Sequence, residues 1–95
     1  MPRAIVLSTV DNVATLLDSG REGDACALQG EGTGEVKLVQ DVAFGHKVCI
    51  AAIAPGANVL KYGQIIGRAT HAIRIGEHAH VHNVESGRRT DLSGR

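Results

Sequence analysis

The sequence predicts a mainly β, compact single domain with one short N-terminal helix. Three observations lead to this prediction. Short apolar runs are separated by many of the 12 glycines, one corner-like pattern recurs along the chain, and aromatic residues are almost absent (Phe44 and Tyr62). The core must therefore be built from Val, Ile, Leu and Ala. Because 95 residues bury only a modest core, we expect one domain over residues 1–86 that oligomerisation or a partner completes.

The predicted elements follow in order from the N-terminus. Arg3–Leu7 is predicted to be a strand. Residues 11–20 are predicted to form the helix, because a capping residue stands near the start, Val13, Leu16 and Leu17 have helical spacing, and Gly20 provides a stop. Five short β segments separated by glycine are then predicted, at 25–28, 35–40, 46–53, 65–70 and 77–81.

An eight-residue outline occurs three times, at 41–48, 52–59 and 72–79. Each copy has an apolar second residue, a glycine three residues on, and a small or apolar residue three further. The simplest physical account is a tight turn whose glycine takes a positive φ, between residues that point into a shared core. Because the copies are too short and too unevenly spaced for a solenoid, they are predicted to be repeated corners of one irregular β fold.

The composition argues against several classes of protein. Ten Lys and Arg balance ten Asp and Glu, so no bulk positive field attracts nucleic acid or an anionic membrane. The scarcity of aromatics argues against base stacking. The N-terminal apolar run is too short for a signal peptide and no segment approaches membrane-spanning length, so a cytoplasmic protein is expected. The polar tail, residues 87–95, is expected to be disordered.

Cysteine usage indicates neither a disulfide framework nor a zinc knuckle. Cys26 and Cys49 stand alone instead of in a CxxC pair. Free cysteine commonly behaves as a small hydrophobic residue, so both are expected to be buried thiols.

The segment GEHAHVHN, residues 76–83, holds three of the five histidines at alternate positions. On a strand, His78, His80 and His82 would share one face, with the intervening alanine and valine toward the core. Imidazole serves as a metal ligand or as a proton donor and acceptor near neutral pH, and His-x-His can present two ligands to one ion. Three in line reach too far for a single ion unless the strand bends. The alternative is a solvated face whose histidines have no function.

Three further motifs are candidates for function. After a predicted corner, Gly45-His46-Lys47 offers an imidazole that can bind a metal or transfer a proton and an ammonium that can polarise a carboxylate; alternatively both are merely solvated. Lys61-Tyr62-Gly63 is a second candidate, whose alternative is a turn with a packed tyrosine. Residues 30–35, GEGTGE, resemble a phosphate cradle only superficially, since two glutamates would repel phosphate and no helix signal follows, so a hairpin loop is predicted.

A family resemblance rests on these motifs. GHK, KYG, IG and GEHAHVHN, in this order and spacing, resemble the small SAF-type domain of the altronate/galactarate dehydratase family, and are also similar to the small subunit of sulfolactate sulfo-lyase. DNVA, residues 11–14, resembles the start of the same domain. The resemblance, over residues 11–86, implies a β-clip fold. It also implies a role in β-elimination of water or sulfite from a sugar acid or related hydroxy acid, which gives a 2-keto acid.

One segment departs from the family pattern. Ala51 and Ala52 stand where many relatives resemble an Arg-Asp pair. If that pair contacts substrate in the relatives, the substrate differs here. If it is only an exposed ion pair, worth roughly 0 to 1 kcal/mol, little changes.

The resemblance further implies a partner and a cofactor. We expect a small subunit, inactive alone, that assembles with a large catalytic lyase subunit, because the chain stops soon after the last motif where fused members continue. A divalent metal, Fe(II) with Mn(II) or Mg(II) as alternatives, would stabilise the charge that forms when a proton α to a carboxylate is removed.

The site residues implied by the motifs fall into two groups. The expected metal ligands are His46, His80 and His82, and together with Lys47 they are the expected catalytic residues. The expected substrate contacts are Lys47, Lys61, Tyr62 and Asn83. Two other functions stay open: a non-catalytic SAF-type module that binds a small carboxylated ligand or regulates a partner, and a homo-oligomer without a ligand.

Overall fold

The structure, a computed structural model, describes residues 1–86 and is built from short strands. In chain order these are β1 (Arg3–Val6), β2 (Val13–Leu16), β3 (Ala25–Gly30), β4 (Glu35–Lys37), β5 (Lys47–Cys49), β6 (Asn58–Lys61), β7 (Gln64–Ala69), β8 (His78–Ala79) and β9 (Val84–Glu85). The mainly β class is thus confirmed. None of the residues described forms a helix, and hence none forms a helix able to cross a membrane. The predicted disorder of residues 87–95 lies outside the described residues.

The strands form two sheets. The larger sheet has the order β4-β3-β1-β2-β5-β8 and the smaller has the order β6-β7-β9. Only β1 and β3 pair in parallel; the other pairs are antiparallel. Two clusters of buried apolar side chains form the core. The first lies within the larger sheet and its connections (Ala4, Val6, Ala14, Leu16, Cys26, Val36, Leu38, Val42, Val48). The second joins the two sheets (Val13, Cys49, Ile53, Val59, Ala69, Ile73, Ala79).

The predicted helix over residues 11–20 is wrong, because Val13–Leu16 forms the central strand β2. This strand is buried on both faces: Ala14 and Leu16 belong to the first cluster and Val13 to the second. A strand buried on both faces lacks the alternation of apolar and polar residues that distinguishes a strand from a helix in sequence. The apparent capping residue does not begin a helix. Instead, the Asn12 side chain bonds the backbone of β6, through Leu60 N–H and Asn58 C=O.

The repeated corners are confirmed, and a fourth copy is present. Gly45, Gly56 and Gly76 have φ of 83°, 82° and 93°. The residue after each glycine donates its backbone N–H to the carbonyl oxygen three positions before it, which is the pattern of a type II turn with glycine in its third position. Gly23, with φ 93°, occupies the same place in a copy over residues 19–26. Sequence reasoning missed this copy because its second residue is Gly20 instead of an apolar residue.

The remaining sequence predictions had mixed outcomes. All the predicted β segments contain a strand, although the bounds differ: β1, β4, β5 and β8 are shorter than predicted, β3 extends two residues further, and β7 begins and ends one residue earlier. Strands β6 and β9 were not predicted. The loop between β3 and β4 spans residues 31–34, which confirms the predicted hairpin. Both cysteines are free and buried, as expected.

Candidate functional site

Three histidines converge at the edge of the larger sheet. His46 immediately precedes β5, and His78 opens β8, which pairs with β5 in antiparallel register. His80 follows β8 by one residue, and its ring stacks on both others, with centroids 4.6 Å from His46 and 5.2 Å from His78. One ring nitrogen from each of the three lies within 4.8 Å of the other two. Strand pairing therefore assembles a cluster from residues 32 positions apart in sequence.

The spacing of these nitrogens suits a metal ion. His46 Nδ1 and His78 Nε2 are 2.9 Å apart. Two nitrogens bound at right angles, each about 2.1 Å from an ion, lie about 3.0 Å apart, and two opposite ones about 4.2 Å apart. His46 and His78 thus already have the separation of neighbouring ligands. The exposed His80 completes the set, with a ring nitrogen within 4.8 Å of both.

The electrostatics of the cluster favour neutral imidazole at its centre. Burial, and after it the neighbouring His46, His80, His82 and Lys47 in that order, lower the pKa of His78 to about 4. At neutral pH the His78 ring is therefore uncharged, which is the form that ligates a metal. Without an ion, His46 Nδ1 and His78 Nε2 form a hydrogen bond, in which one of these two nitrogens donates and the other accepts.

A tight turn ends β8 and separates His82 from the other three. Residues 80–83 leave the strand direction, and Asn83 N–H bonds His80 C=O. His82 is exposed, and His78 is the one aromatic ring among residues 1–86 that its ring meets, at a centroid distance of 5.3 Å. The expectation that Val81 faces the core is wrong, since it is 81% exposed at the tip of this turn. The chain bends here, as a shared ion would require, but the nitrogens that converge belong to His46, His78 and His80.

Asn83, an expected substrate contact, is instead committed to the turn. Its Oδ1 accepts a hydrogen bond from His80 N–H and its Nδ2 donates to His78 C=O, both at 2.9 Å. The side chain is buried. Asn83 therefore fixes the backbone that carries two of the three clustered histidines.

A cavity of about 390 Å³ adjoins the cluster. His80 belongs to the histidine cluster and also lines this cavity. Two lysines, Lys47 and Lys61, line it together with mainly apolar residues (Val59, Ile66, Ala79, Val81, Val84, Ser86). None of these lining residues is acidic. Burial lowers the pKa of Lys47, and the nearby Lys61 lowers it further. Two ammonium groups beside an apolar wall form a place where a carboxylate can bind.

Tyr62 lies apart from this cavity. It is the first residue of the two-residue turn between β6 and β7, and both Tyr62 and Gly63 have positive φ, 59° and 72°, as in a type I′ hairpin. The ring is 67% exposed. Buried Asp11 fixes this turn, because its carboxylate accepts the backbone N–H groups of Ser8, Tyr62 and Gly63.

The structure thus brings together four of the expected site residues, namely His46, Lys47, His80 and Lys61. His82 lies at the margin, Asn83 supports the turn, and Tyr62 is elsewhere. Sequence reasoning did not include His78 among the ligands, although the alternation of histidines had placed it on the same face as His80.

Comparison with known proteins gives consistent matches. The family profile described as Altronate/galactarate dehydratase SAF domain matches residues 2–87. The chain is 44% identical to an altronate dehydratase of Escherichia coli K12 over 94% of its length, and 33% identical to that of Bacillus subtilis over 90%. It spans 17% of each of these two proteins. It is also 33% identical to the (2R)-sulfolactate sulfo-lyase subunit alpha of Chromohalobacter salexigens, over 76% of this chain and 77% of that one.

Proposed function

Because this chain belongs to the altronate/galactarate dehydratase SAF domain family, we propose that it contributes one wall of the active site of a metal-dependent lyase. The reaction is β-elimination of water, or of sulfite, from a hydroxy acid to give a 2-keto acid. The observation that carries this proposal is the convergence of three imidazoles beside a cavity lined by two lysines.

His46, His78 and His80 are the proposed metal ligands. Imidazole suits Fe(II) and other transition metals, whereas Mg(II) prefers oxygen ligands, so three histidines argue against Mg(II), and the family resemblance is what favours Fe(II) among the others. When bound, such an ion supplies Lewis-acid stabilisation of the negative charge that develops on the substrate's carboxylate and hydroxyl oxygens. The protein's own part is to hold the imidazoles in one arrangement, through the β5–β8 pairing and the Asn83 turn.

Lys47 and Lys61 are the proposed contacts of the substrate carboxylate. Both line the cavity, and each lowers the Coulomb energy of an anion placed between them. Neither forms one of the ion pairs found among residues 1–86. We propose that His82, which is exposed with its ring 5.3 Å from that of His78, exchanges protons with the leaving group.

The wall formed by this chain is incomplete for elimination. No carboxylate of the described residues joins the histidine cluster, and no acidic side chain lines the cavity. In this proposal three histidines hold the ion and the two lysines hold the carboxylate, so the base that removes the α-proton comes from outside the described residues. We propose that a larger catalytic lyase portion supplies it, and that the 95-residue chain alone has no turnover. The sulfo-lyase relative carries the name subunit alpha, which is consistent with such a division.

Metal binding tests the first half of the proposal. Anaerobic titration of the chain with Fe(II) should show one ion per chain, and His46→Ala or His78→Ala should weaken binding by at least tenfold. His71→Ala is the matched control, since His71 is exposed and its ring, in the described part of the chain, hydrogen-bonds the Thr70 hydroxyl and lies outside the cluster. Equal affinity in the wild-type, H78A and H71A proteins would refute the metal site.

Turnover tests the second half. The chain is assembled with the large lyase portion encoded with it, and 2-keto acid or sulfite formation is measured with altronate, galactarate and sulfolactate in the presence of Fe(II). His80→Ala should preserve assembly and abolish turnover. Full turnover in H78A and H80A assemblies would favour the non-catalytic carboxylate-binding module, and turnover by the chain alone would refute the proposed division of roles.

A further inference from the structure

A buried hydroxyl without a partner in residues 1–86 lies on β2, opposite the cavity-lining Lys47 of β5. Thr15 Oγ1 has no hydrogen-bond partner among the described residues, and it is the one buried side-chain polar atom there in this condition. Leaving such a group unsatisfied is costly to folding, and valine would fill the same volume in a strand without that cost. The stability of the isolated chain therefore gives no reason for threonine at this position.

The sheet register places Thr15 beside Lys47. On β2, Ala14 and Leu16 point into the first core cluster, so Val13 and Thr15 point to the opposite face. Thr15 pairs directly with Lys47 on β5, and Lys47 pairs with Ala79 on β8. Side chains of directly paired residues share a face with their Cβ atoms about 4.5–5.5 Å apart. Lys47 and Ala79 both line the cavity, so Thr15 lies behind Lys47 on the cavity side.

Lys47 needs acceptors when the cavity is filled. An ammonium group has three donors, and no carboxylate of residues 1–86 pairs with Lys47. Water meets this need while the cavity is open. A bound anion displaces that water and accepts hydrogen bonds from some of the three N–H donors. A donor that points toward β2 then needs another acceptor.

We propose that Thr15 is a positioning residue for Lys47. Its Oγ1 accepts a hydrogen bond from the Lys47 ammonium when an anionic ligand occupies the cavity, and so aims the ammonium at the ligand's carboxylate. This inference rests on the proposed function in taking that ligand to be the hydroxy-acid substrate. Because Oγ1 is itself buried, Thr15 acts through Lys47 and does not touch the substrate.

The experiment compares Thr15→Val and Thr15→Ser in the assembled enzyme. T15V should raise KM for the substrate about tenfold, which corresponds to the loss of one hydrogen bond to a charged group, with kcat changed less than twofold. T15S keeps the hydroxyl and should stay within about twofold of wild type in KM. Thr33→Val, in the exposed loop between β3 and β4, is the control and should change neither constant.

A double-mutant cycle tests whether the effect passes through Lys47. In a Lys47→Met background, where Lys61 still offers one ammonium, T15V should change KM less than twofold. In a Lys61→Met background its tenfold effect should persist. An unchanged KM in T15V alone, or the same tenfold loss with and without Lys47, would overturn the proposal.

Two further measurements separate this inference from structural damage and from the proposed function. The melting temperature of T15V without ligand should rise by about 4–8 °C, since an unsatisfied group is removed; a fall would assign the KM effect to misfolding and refute the inference. If the wild-type assembly shows no turnover, the proposed lyase function fails. The same cycle is then measured by calorimetric binding of L-malate, where loss of affinity in T15V that depends on Lys47 supports the positioning role and its absence refutes it.

Discussion

Adding one methyl group at two equivalent corners should have very different effects on stability. Gly45 and Gly76 occupy the same place in two copies of the corner, with φ of 83° and 93°. An L-residue in the left-handed region costs about 1–2 kcal/mol, and this cost is common to Gly45→Ala and Gly76→Ala. At Gly45 a Cβ would have no neighbour within 4 Å. G45A should therefore lower the free energy of unfolding by about 1–2 kcal/mol and no more.

The environment of Gly76 adds a second cost. A Cβ there would press into the carbonyl oxygen of Lys37 and lie 3.3 Å from Val39 Cγ1. A backbone carbonyl cannot rotate away as a side chain can, so relief would strain the hydrogen bonds from Val39 N–H to Gly76 C=O, 3.0 Å, and from Gly76 N–H to Cys49 C=O, 2.8 Å. Overpacking of this kind costs about 1–3 kcal/mol. G76A should thus lose about 2–5 kcal/mol in total.

Urea unfolding of both variants, followed by far-UV circular dichroism, measures the difference. The two unfolding curves should have the same dependence on urea, so that the midpoints report stability directly. Losses for G45A and G76A within 0.5 kcal/mol of one another would show that the positive φ alone determines the cost. The close approach of Lys37 would then have no energetic consequence.

Three other predictions concern single buried groups. Asn83→Ala removes both side-chain hydrogen bonds that hold the 80–83 turn, so it should lower the free energy of unfolding by about 2–3 kcal/mol. It should also weaken Fe(II) binding, measured by calorimetry. Unchanged Fe(II) affinity would contradict the supporting role of Asn83. Asp11→Ala removes three acceptor contacts in a buried position and should cost about 3 kcal/mol in urea unfolding, with Asp11→Asn losing less; a loss below about 1 kcal/mol would contradict the argument. Burial raises the pKa of Cys26, and it raises that of Cys49 to about 11, so the thiolates form only at higher pH and native protein at pH 8 should resist iodoacetamide by mass spectrometry; rapid native alkylation would show that burial does not protect them.

The corners were predictable because their signals are local. A glycine with positive φ and two buried residues at fixed distances from it leave a pattern that sequence spacing alone reveals, as at Val42, Gly45 and Val48. The helix prediction also used local signals, but it failed because the side chains that resembled a helix cap bond residues far away in the sequence. Asp11 and Asn12 bond residues 46–52 positions away, and no window of sequence distinguishes such contacts from a helix cap.

The site was predictable in residue type and only partly in membership. The sequence indicates imidazoles and ammonium groups in GHK and GEHAHVHN, but the pairing of β5 with β8 decides which of them meet. Whether His78 or His82 joins His46 depends on where β8 ends. The two hydrogen bonds of the Asn83 side chain fix that end. These bonds leave no recognisable pattern in the sequence, because the partners of the amide are backbone groups, which every residue has.

The arrangement of corners explains why the site lies where it does. Isolated bridges join the corners two by two, through Gly20 with Val42 and through Ile53 with Ile73. The second corner leads into β5 and the fourth into β8, and only these two strands are adjacent in the larger sheet among the four that follow corners. Polar groups just after the second and fourth glycines therefore meet, namely His46, one residue after Gly45, and His78, two residues after Gly76. The equivalent residues after the first and third glycines enter β3 and β6, which lie in different sheets. A repeated structural unit thus creates four similar segments, and the strand order brings two of them together to form a shared site.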